Sequence, residues 1–122
     1  MTVQARLRSA LTRAMKARDP VARSAIRSAL AAIDNAGAVD AHPDSQGGSS
    51  EWISGGVRGL GAAEVQRRQL SEEQTADIVR SEISSRQRAA EEYEQRGRFD
   101  EAKRLRDESG VLDRVLSEQH PC

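Results

Sequence analysis

The chain has 122 residues, a length that suits one small domain, and its 19 lysines and arginines are balanced by 19 aspartates and glutamates. This balance excludes a protein that is basic over its whole surface, so a charged partner must be recognised locally. The only aromatic residues, Trp52, Tyr93 and Phe99, are scattered along the chain, which argues against an RNA-binding sheet or groove that stacks bases on successive rings.

The first part of the chain predicts two helices joined by a short connection. Apolar residues recur at spacings of three and four over residues 3–17, as on one face of a helix. Asp19-Pro20 predicts the start of a second helix, because Asp is a good N-cap and Pro fits the first helical position, and Gly37 is its predicted stop. The connection is short enough to predict an antiparallel hairpin over residues 1–36. The two apolar faces comprise Val3, Leu7, Ala10, Leu11, Ala14 and Met15, and then Val21, Ala25, Ile26, Ala29, Leu30 and Ile33.

A glycine-rich stretch separates this hairpin from a second one. Residues 37–62 hold seven of the nine glycines and predict a flexible Gly/Ser-rich loop. Ser71-Glu72-Glu73-Gln74 has the pattern of a capping box that begins a third helix, which Gly97 is predicted to end. A fourth helix is predicted from about Phe99 to Leu116. The apolar faces of these helices comprise Ala76, Val79, Ile83, Ala90 and Tyr93, and then Ala102, Leu105, Ser109, Leu112 and Leu116.

These elements predict an all-α protein. Four helices form two antiparallel helical hairpins, with the glycine-rich loop between them and the second hairpin over residues 63–118 of the same domain. Residues 119–122 form a tail. No apolar run approaches the length of about 20 residues that crosses a bilayer, and the single cysteine allows no internal disulfide, so we expect a cytoplasmic protein with no membrane partner.

Charge is distributed unevenly along the sequence. Residues 1–34 carry seven basic and two acidic residues, a net charge of +5, whereas residues 71–122 carry nine basic and thirteen acidic residues, a net charge of −4. A basic face on the first hairpin could contact phosphates, with two arginines of the following segment beside it. The candidate nucleic-acid-binding residues are Arg6, Arg13, Lys16, Arg23, Arg27, Arg67 and Arg68.

A structural explanation of the same charges stays open. The basic face could be a solvated helix surface, or it could pair with the acidic half of the domain. In that second half, opposite charges recur at a spacing of four residues, which stabilises isolated helices. The predicted pairs are Glu82/Arg86, Glu92/Arg96, Glu94/Arg98, Asp100/Arg104, Lys103/Asp107, Arg104/Glu108 and Arg114/Glu118.

The sequence offers no catalytic or metal-binding constellation. His42, His120 and Cys122 have no spacing typical of a metal site, and no nucleophile has a base placed beside it by a recognisable motif. We therefore expect no catalytic residues, no metal and no cofactor.

Several segments together resemble the GatB/YqeY family. They are Leu11–Asp19, which contains the letters AMKARD, the leucine-containing stretch Arg27–Asn35, Leu70-Ser-Glu-Glu, and Glu82–Arg98, which ends in EEYEQRGR. Gly59–Leu70 resembles the longer insertion of actinobacterial members. The resemblance covers most of residues 4–36 and 63–116.

This resemblance implies a relationship to the tail of the B subunit of the tRNA-dependent amidotransferase. That enzyme amidates misacylated tRNA with glutamine as the nitrogen donor, so its family label is carbon–nitrogen ligase. Members of the family usually continue into a second small helical subdomain, which we expect this chain to lack because it stops at Gln119–Cys122.

Two functions follow as hypotheses. The first is a non-catalytic accessory module that binds tRNA or another RNA, and we expect no independent amidotransferase activity. The alternative is a helical protein-interaction module without RNA binding, which would meet a partner or a second copy through a seam such as Leu105, Leu112 and Leu116.

Overall fold

A computed structural model gives the fold, and it describes residues 1–41 and 69–118. Over these ranges the regular secondary structure is entirely helical, and the prediction of an all-α protein is confirmed. No helix in the described ranges has the length and apolar character needed to cross a membrane. The helices are α1 (Val3–Lys16), α2 (Pro20–Ala41), α3 (Glu72–Gln95) and α4 (Phe99–Ser117).

The helices pack mainly in pairs that are adjacent in sequence. α1 lies against α2 and α3 lies against α4, while α2 also contacts both helices of the second pair. The antiparallel direction within each pair stays a prediction. The glycine-rich loop predicted over residues 37–62 lies outside the described residues from position 42 onward, and so does the predicted tail at residues 119–122.

The predicted helix starts are confirmed by their hydrogen bonds. The Asp19 carboxylate accepts the N–H of Ala22 at 3.1 Å, as an N-cap side chain does at the start of α2. At the start of α3, Ser71 Oγ accepts the N–H of Gln74 at 3.0 Å and Gln74 Oε1 accepts the N–H of Ser71 at 2.8 Å, which completes the capping box.

The predicted end of the second helix is wrong. α2 continues through Gly37 to Ala41. Gly37 is buried and lies one turn beyond the buried Ile33, so it belongs to the packed face of the helix. A glycine inside a helix costs only about 1 kcal/mol relative to alanine, which tertiary packing readily offsets.

The core is built largely from small side chains. Alanines of all four helices are buried, and the largest fully buried side chains include Leu7, Ile26 and Leu112. Small residues let helix backbones approach closely, but they present few interlocking shapes to fix one helix against the next. Polar contacts therefore carry more of the alignment between helices than they would in a core of large residues.

One polar cluster joins three of the four helices. The Arg86 guanidinium of α3 donates to Glu108 of α4 through Nε and to Glu82 through Nη1, both at 2.8 Å. Ser28 of α2 donates to the same Glu82 oxygen at 3.2 Å, and Arg104 lies 3.4 Å from the other oxygen of Glu108. We call these five residues the ionic cluster.

The centre of the ionic cluster is shielded from water, whereas Arg104 at its edge is 58% exposed. The side chains of Arg86 and Glu108 are only 12% and 8% exposed. Burial lowers the pKa of Arg86, but the hydrogen bonds that Arg86 donates to Glu82 and Glu108, together with the charges of these carboxylates, outweigh burial and raise the pKa above its ordinary value. Arg86 is therefore held as a cation between two carboxylates.

The start of α1 is tied to the start of α3. The N–H of Val3 donates to Glu72 Oε2 at 2.6 Å. Glu72 lies in the first turn of α3, where a carboxylate also favours the positive end of the helix dipole. One carboxylate thus stabilises two helix N-termini.

Loss of the Arg86 cation should destabilise the fold strongly. We expect Arg86→Met to lower the free energy of unfolding by about 3 kcal/mol, because it leaves the shielded Glu82 and Glu108 without their shared partner. Chemical denaturation of the purified variant measures this loss. The matched control is Arg80→Met, which breaks an exposed pair with Asp77 and should change stability by less than about 1 kcal/mol. Equal losses in the two variants would contradict this assignment.

Candidate nucleic-acid interface

The connection between α1 and α2, residues 17–19, presents the candidate interface, and we call it the elbow. The N–H of Arg18 donates to the carbonyl of Met15 at 3.2 Å, and the N–H of Asp19 donates to that of Ala14 at 3.0 Å. These bonds close the last turn of α1, while the Asp19 carboxylate opens α2. The elbow is thus a tight connection whose backbone groups are largely satisfied locally.

Arg18 adopts a left-handed backbone conformation at the elbow, with φ of 56°. It is the only residue other than glycine with a positive φ in the described ranges. In the other short connection, between α3 and α4, the left-handed position is filled by Gly97, with φ of 76°. A side chain at such a position costs about 1 kcal/mol relative to glycine.

Four cations lie exposed at the elbow and along the first turns of α2. They are Lys16, Arg18, Arg23 and Arg27, and we call them the elbow cations. Their side chains form no ion pair and no hydrogen bond with any residue in the described ranges. Arg23 and Arg27 are spaced by one helical turn and therefore share one side of α2. The prediction that Lys16, Arg23 and Arg27 lie at the surface is confirmed.

Arg13 is exposed but is not free. Its Nη1 donates to Ser9 Oγ at 3.3 Å, and its Nη2 lies 3.8 Å from Glu118 at the end of α4. The side chains of Arg13 and Glu118 are 60% and 51% exposed, so this long contact is screened by water and holds Arg13 only weakly. A stronger anion could displace Glu118.

The predicted position of Arg6 is wrong. Arg6 is only 7% exposed, and its guanidinium donates to the carbonyls of Val115 at 3.2 Å and Met1 at 2.9 Å. The buried residues Val3, Leu7, Ala10 and Ala14 all belong to the predicted apolar face of α1. Arg6 lies one turn from Val3 and from Ala10 and is buried with them. Arg6 therefore joins α1 to α4 and is not part of an exposed basic face.

Two further candidates cannot be assigned to this surface. Arg67 and Arg68 lie outside the described residues. Arg8 is exposed, but it lines a different groove, beside Asp34 and Leu70. The described candidate interface therefore consists of the four elbow cations, with Arg13 at its edge.

The cations of the second helix pair are mostly engaged in ion pairs. The predicted pairs Glu82/Arg86, Lys103/Asp107 and Arg104/Glu108 are confirmed, at 2.8, 2.9 and 3.4 Å. The other predicted pairs are wrong. Contacts outside the predicted spacing replace some of them: Arg98 pairs with Glu101 at 2.6 Å, and Arg106 of α4 pairs with Glu94 of α3 at 2.9 Å.

The bond from Arg106 to Glu94 reaches across the second helix pair. It is bidentate, with both nitrogen–oxygen distances at 2.9 Å. This hydrogen bonding lowers the pKa of Glu94, so the carboxylate stays ionised and keeps Arg106 occupied. The elbow cations thus have no partner in the described ranges, whereas the second helix pair uses six of its nine cations in internal ion pairs.

The seam proposed for protein contacts, Leu105, Leu112 and Leu116, packs largely inside the fold. Leu112 is fully buried in the core, and Leu116 packs against the core at its edge. The large apolar side chains that are exposed in the described ranges are two methionines and Phe99. Phe99 is 66% exposed. A continuous apolar stripe on α4 is therefore not offered to a partner.

The described residues hold no cluster of three or more His, Cys, Asp or Glu side chains that could bind a metal ion. In comparisons with known proteins, the chain matches no protein-family model, no curated protein and no solved structure. The geometry and charge of the elbow therefore carry the functional argument.

Sequence reasoning missed Arg18 as a candidate. Arg18 lies between two helices, so the helical periodicity assigns it to no helix face. The available signal was Asp19-Pro20: once this pair fixes the start of α2, the preceding residue must occupy the turn that ends α1. Turn positions of this kind commonly need a left-handed residue, which makes an arginine there conspicuous.

Arg6 should affect stability and not nucleic-acid binding. We expect Arg6→Met to lower the free energy of unfolding by roughly 1–3 kcal/mol, because the buried carbonyl of Val115 loses a charged donor. Urea unfolding followed by circular dichroism measures the change. Arg8→Met, which removes an exposed guanidinium from the same helix, should stay within about 0.5 kcal/mol of the wild type. If Arg6→Met left the free energy of unfolding unchanged but weakened RNA binding, Arg6 would belong to the interface after all.

Proposed function

We propose that this protein is a non-catalytic accessory module that binds tRNA or another RNA through its phosphate backbone. The observation that supports this proposal is the set of elbow cations, which are exposed and have no acidic partner in the described ranges. A phosphate can approach such a cation without first breaking an internal ion pair. The cations of α3 and α4 mostly lack this property, since carboxylates already hold them.

The elbow cations suit binding that does not depend on base sequence. Lysine and arginine side chains bound to phosphates position a nucleic acid, whereas base contacts specify its sequence. The aromatic residues in the described ranges, Tyr93 and Phe99, lie at the other helix connection, so no ring is placed at the elbow to stack on a base. The module would therefore recognise the shape and charge of a folded RNA.

The resemblance to the GatB/YqeY family gives this binding a biological setting. In an amidotransferase of that type, the tail of the B subunit helps to hold the tRNA while the chemistry takes place in other domains. We infer a comparable role here, in which the chain presents tRNA to a partner that supplies the amidotransferase activity. The carbon–nitrogen ligase label would then describe the assembly and not this chain alone.

Charge reversal on α2 tests the proposal. We expect wild-type protein to bind an unmodified tRNA transcript, with log K falling against log salt at a slope of roughly −3 to −4 if the four elbow cations each neutralise one phosphate. Arg23→Glu combined with Arg27→Glu should weaken binding at least about tenfold at 50 mM salt and reduce the magnitude of the slope by about 2. Filter binding over a salt series measures both quantities.

The control makes the same change in charge elsewhere. Arg88 and Arg96 are exposed on the second helix pair and have no side-chain partner in the described ranges. Arg88→Glu combined with Arg96→Glu should leave tRNA affinity within about threefold of the wild type, since this change acts only through the distant field of the protein. Equal losses in the two double variants would show that net charge alone drives binding and would contradict an interface at the elbow.

The alternative function, a protein-interaction module, is an outcome of the same experiments. A wild-type protein that retains no tRNA at 50 mM salt overturns the RNA proposal. A dimer in light scattering, or capture of a defined protein, would then favour the alternative, with the exposed Phe99 as the first side chain to test.

A further inference from the structure

Arg18 occupies a backbone position that suits glycine better. Its φ of 56° is left-handed, and the equivalent position in the connection between α3 and α4 is Gly97. The hydrogen bonds that close the elbow come from the backbone N–H groups of Arg18 and Asp19, which a glycine at position 18 would preserve. The conformation of the elbow therefore does not require an arginine.

The guanidinium of Arg18 also stabilises nothing by direct contact within the described fold. It is exposed and has no side-chain hydrogen bond or ion pair there. The other left-handed position shows what the backbone alone favours, namely a glycine. Residues other than glycine in a left-handed conformation are concentrated at functional sites.

The neighbours of Arg18 indicate which ligand its side chain fits. Lys16 precedes it by two residues and Arg23 follows in the first turns of α2, and both are exposed cations without a partner in the described ranges. The nearest carboxylate in sequence, Asp19, already accepts the N–H of Ala22. Three exposed cations thus lie in sequence from the end of α1 to the first turn of α2. The carboxylates that line the grooves beside them are Asp19, Asp107 and Glu118.

We propose that Arg18 is a phosphate-binding residue that places one phosphodiester group of the bound RNA at the elbow, between Lys16 and Arg23. This inference rests on the proposed RNA-binding function and adds a residue and a location to it. The planar guanidinium can bind two oxygens of one phosphate at once, which a lysine ammonium cannot. Arg18 would thus fix the register of the RNA on the module, while Arg23 and Arg27 contact the backbone beyond it.

Two substitutions separate the side chain from the backbone conformation. Arg18→Gly removes both the charge and the left-handed strain, whereas Arg18→Gln removes the charge and keeps the strain. We expect both variants to lose tRNA affinity equally, with the magnitude of the salt slope reduced by about 1. We expect the melting temperature of Arg18→Gly to exceed that of Arg18→Gln by roughly 4–8 °C.

Two control variants separate the effect of the charge at Arg18 from the effect of its planar guanidinium. Arg96→Gln removes an exposed cation that lies in the other helix connection, and it should leave the salt slope unchanged. Arg18→Lys should keep the slope of the wild type but bind less tightly, because it retains the charge and loses the bidentate geometry.

A structural role for Arg18 predicts a different pattern. Its charge could act only on the dipole at the C-terminal end of α1, in which case Arg18→Gln would lower the melting temperature and leave tRNA binding unchanged. That result would overturn the assignment of Arg18 while the wild-type protein still binds tRNA. Absence of tRNA binding by the wild type would instead overturn the proposed function itself, so the two failures are distinguishable.

Discussion

The position of Arg86 between two carboxylates is the constraint on which the arrangement of α2, α3 and α4 depends. A core made largely of alanine gives the helices close contact but little shape complementarity, so neighbouring helices could slide with small losses of apolar burial. Arg86 must donate both to Glu108 of α4 and to Glu82 of α3, so α3 and α4 cannot slide past each other without breaking these bonds. Ser28 extends the same constraint to α2 through Glu82. The buried charges are therefore expected to select one alignment of the helices more than they add to total stability.

The same use of charge accounts for the surface of the molecule. Six of the thirteen acids in the second half pair with arginines and a lysine of that half, within the ionic cluster and in exposed pairs such as Arg106 with Glu94. In the described ranges none of the acids forms an ion pair with an elbow cation, so these cations stay uncompensated by direct contact. A chain with no net charge can thus present a local basic surface, since neutrality of the whole molecule does not require neutrality of each part.

Local chemistry was predictable from the sequence, whereas features set by distant helices were not. The capping box at Ser71 and the N-cap at Asp19 depend on residues within one turn, and both form as predicted. The stop at Gly37 failed because packing of α2 offsets the weak intrinsic preference of glycine against helix. Burial of Arg6 was not predictable because the carbonyl that it binds, that of Val115, lies on α4. The predicted pair of Glu94 with Arg98 failed because Arg106 on another helix offers two hydrogen bonds.

The bonds that hold α1 have a consequence for the order in which the protein assembles. Arg6 and Val3 reach partners 109 and 69 residues away in the sequence, whereas α3 and α4 are joined by residues 96–98 alone. Closing a long stretch of chain costs more entropy than closing a short one, so we expect the α3–α4 pair and the α1–α2 pair, which residues 17–19 join, to form first and the bonds of Arg6 and Val3 to close late. The hydrogen bonds of the elbow span three to five residues, so the elbow would take its shape together with the α1–α2 pair. In the native protein, α1 should be the first helix to detach, and its amide hydrogens should exchange with solvent before those beside Arg86.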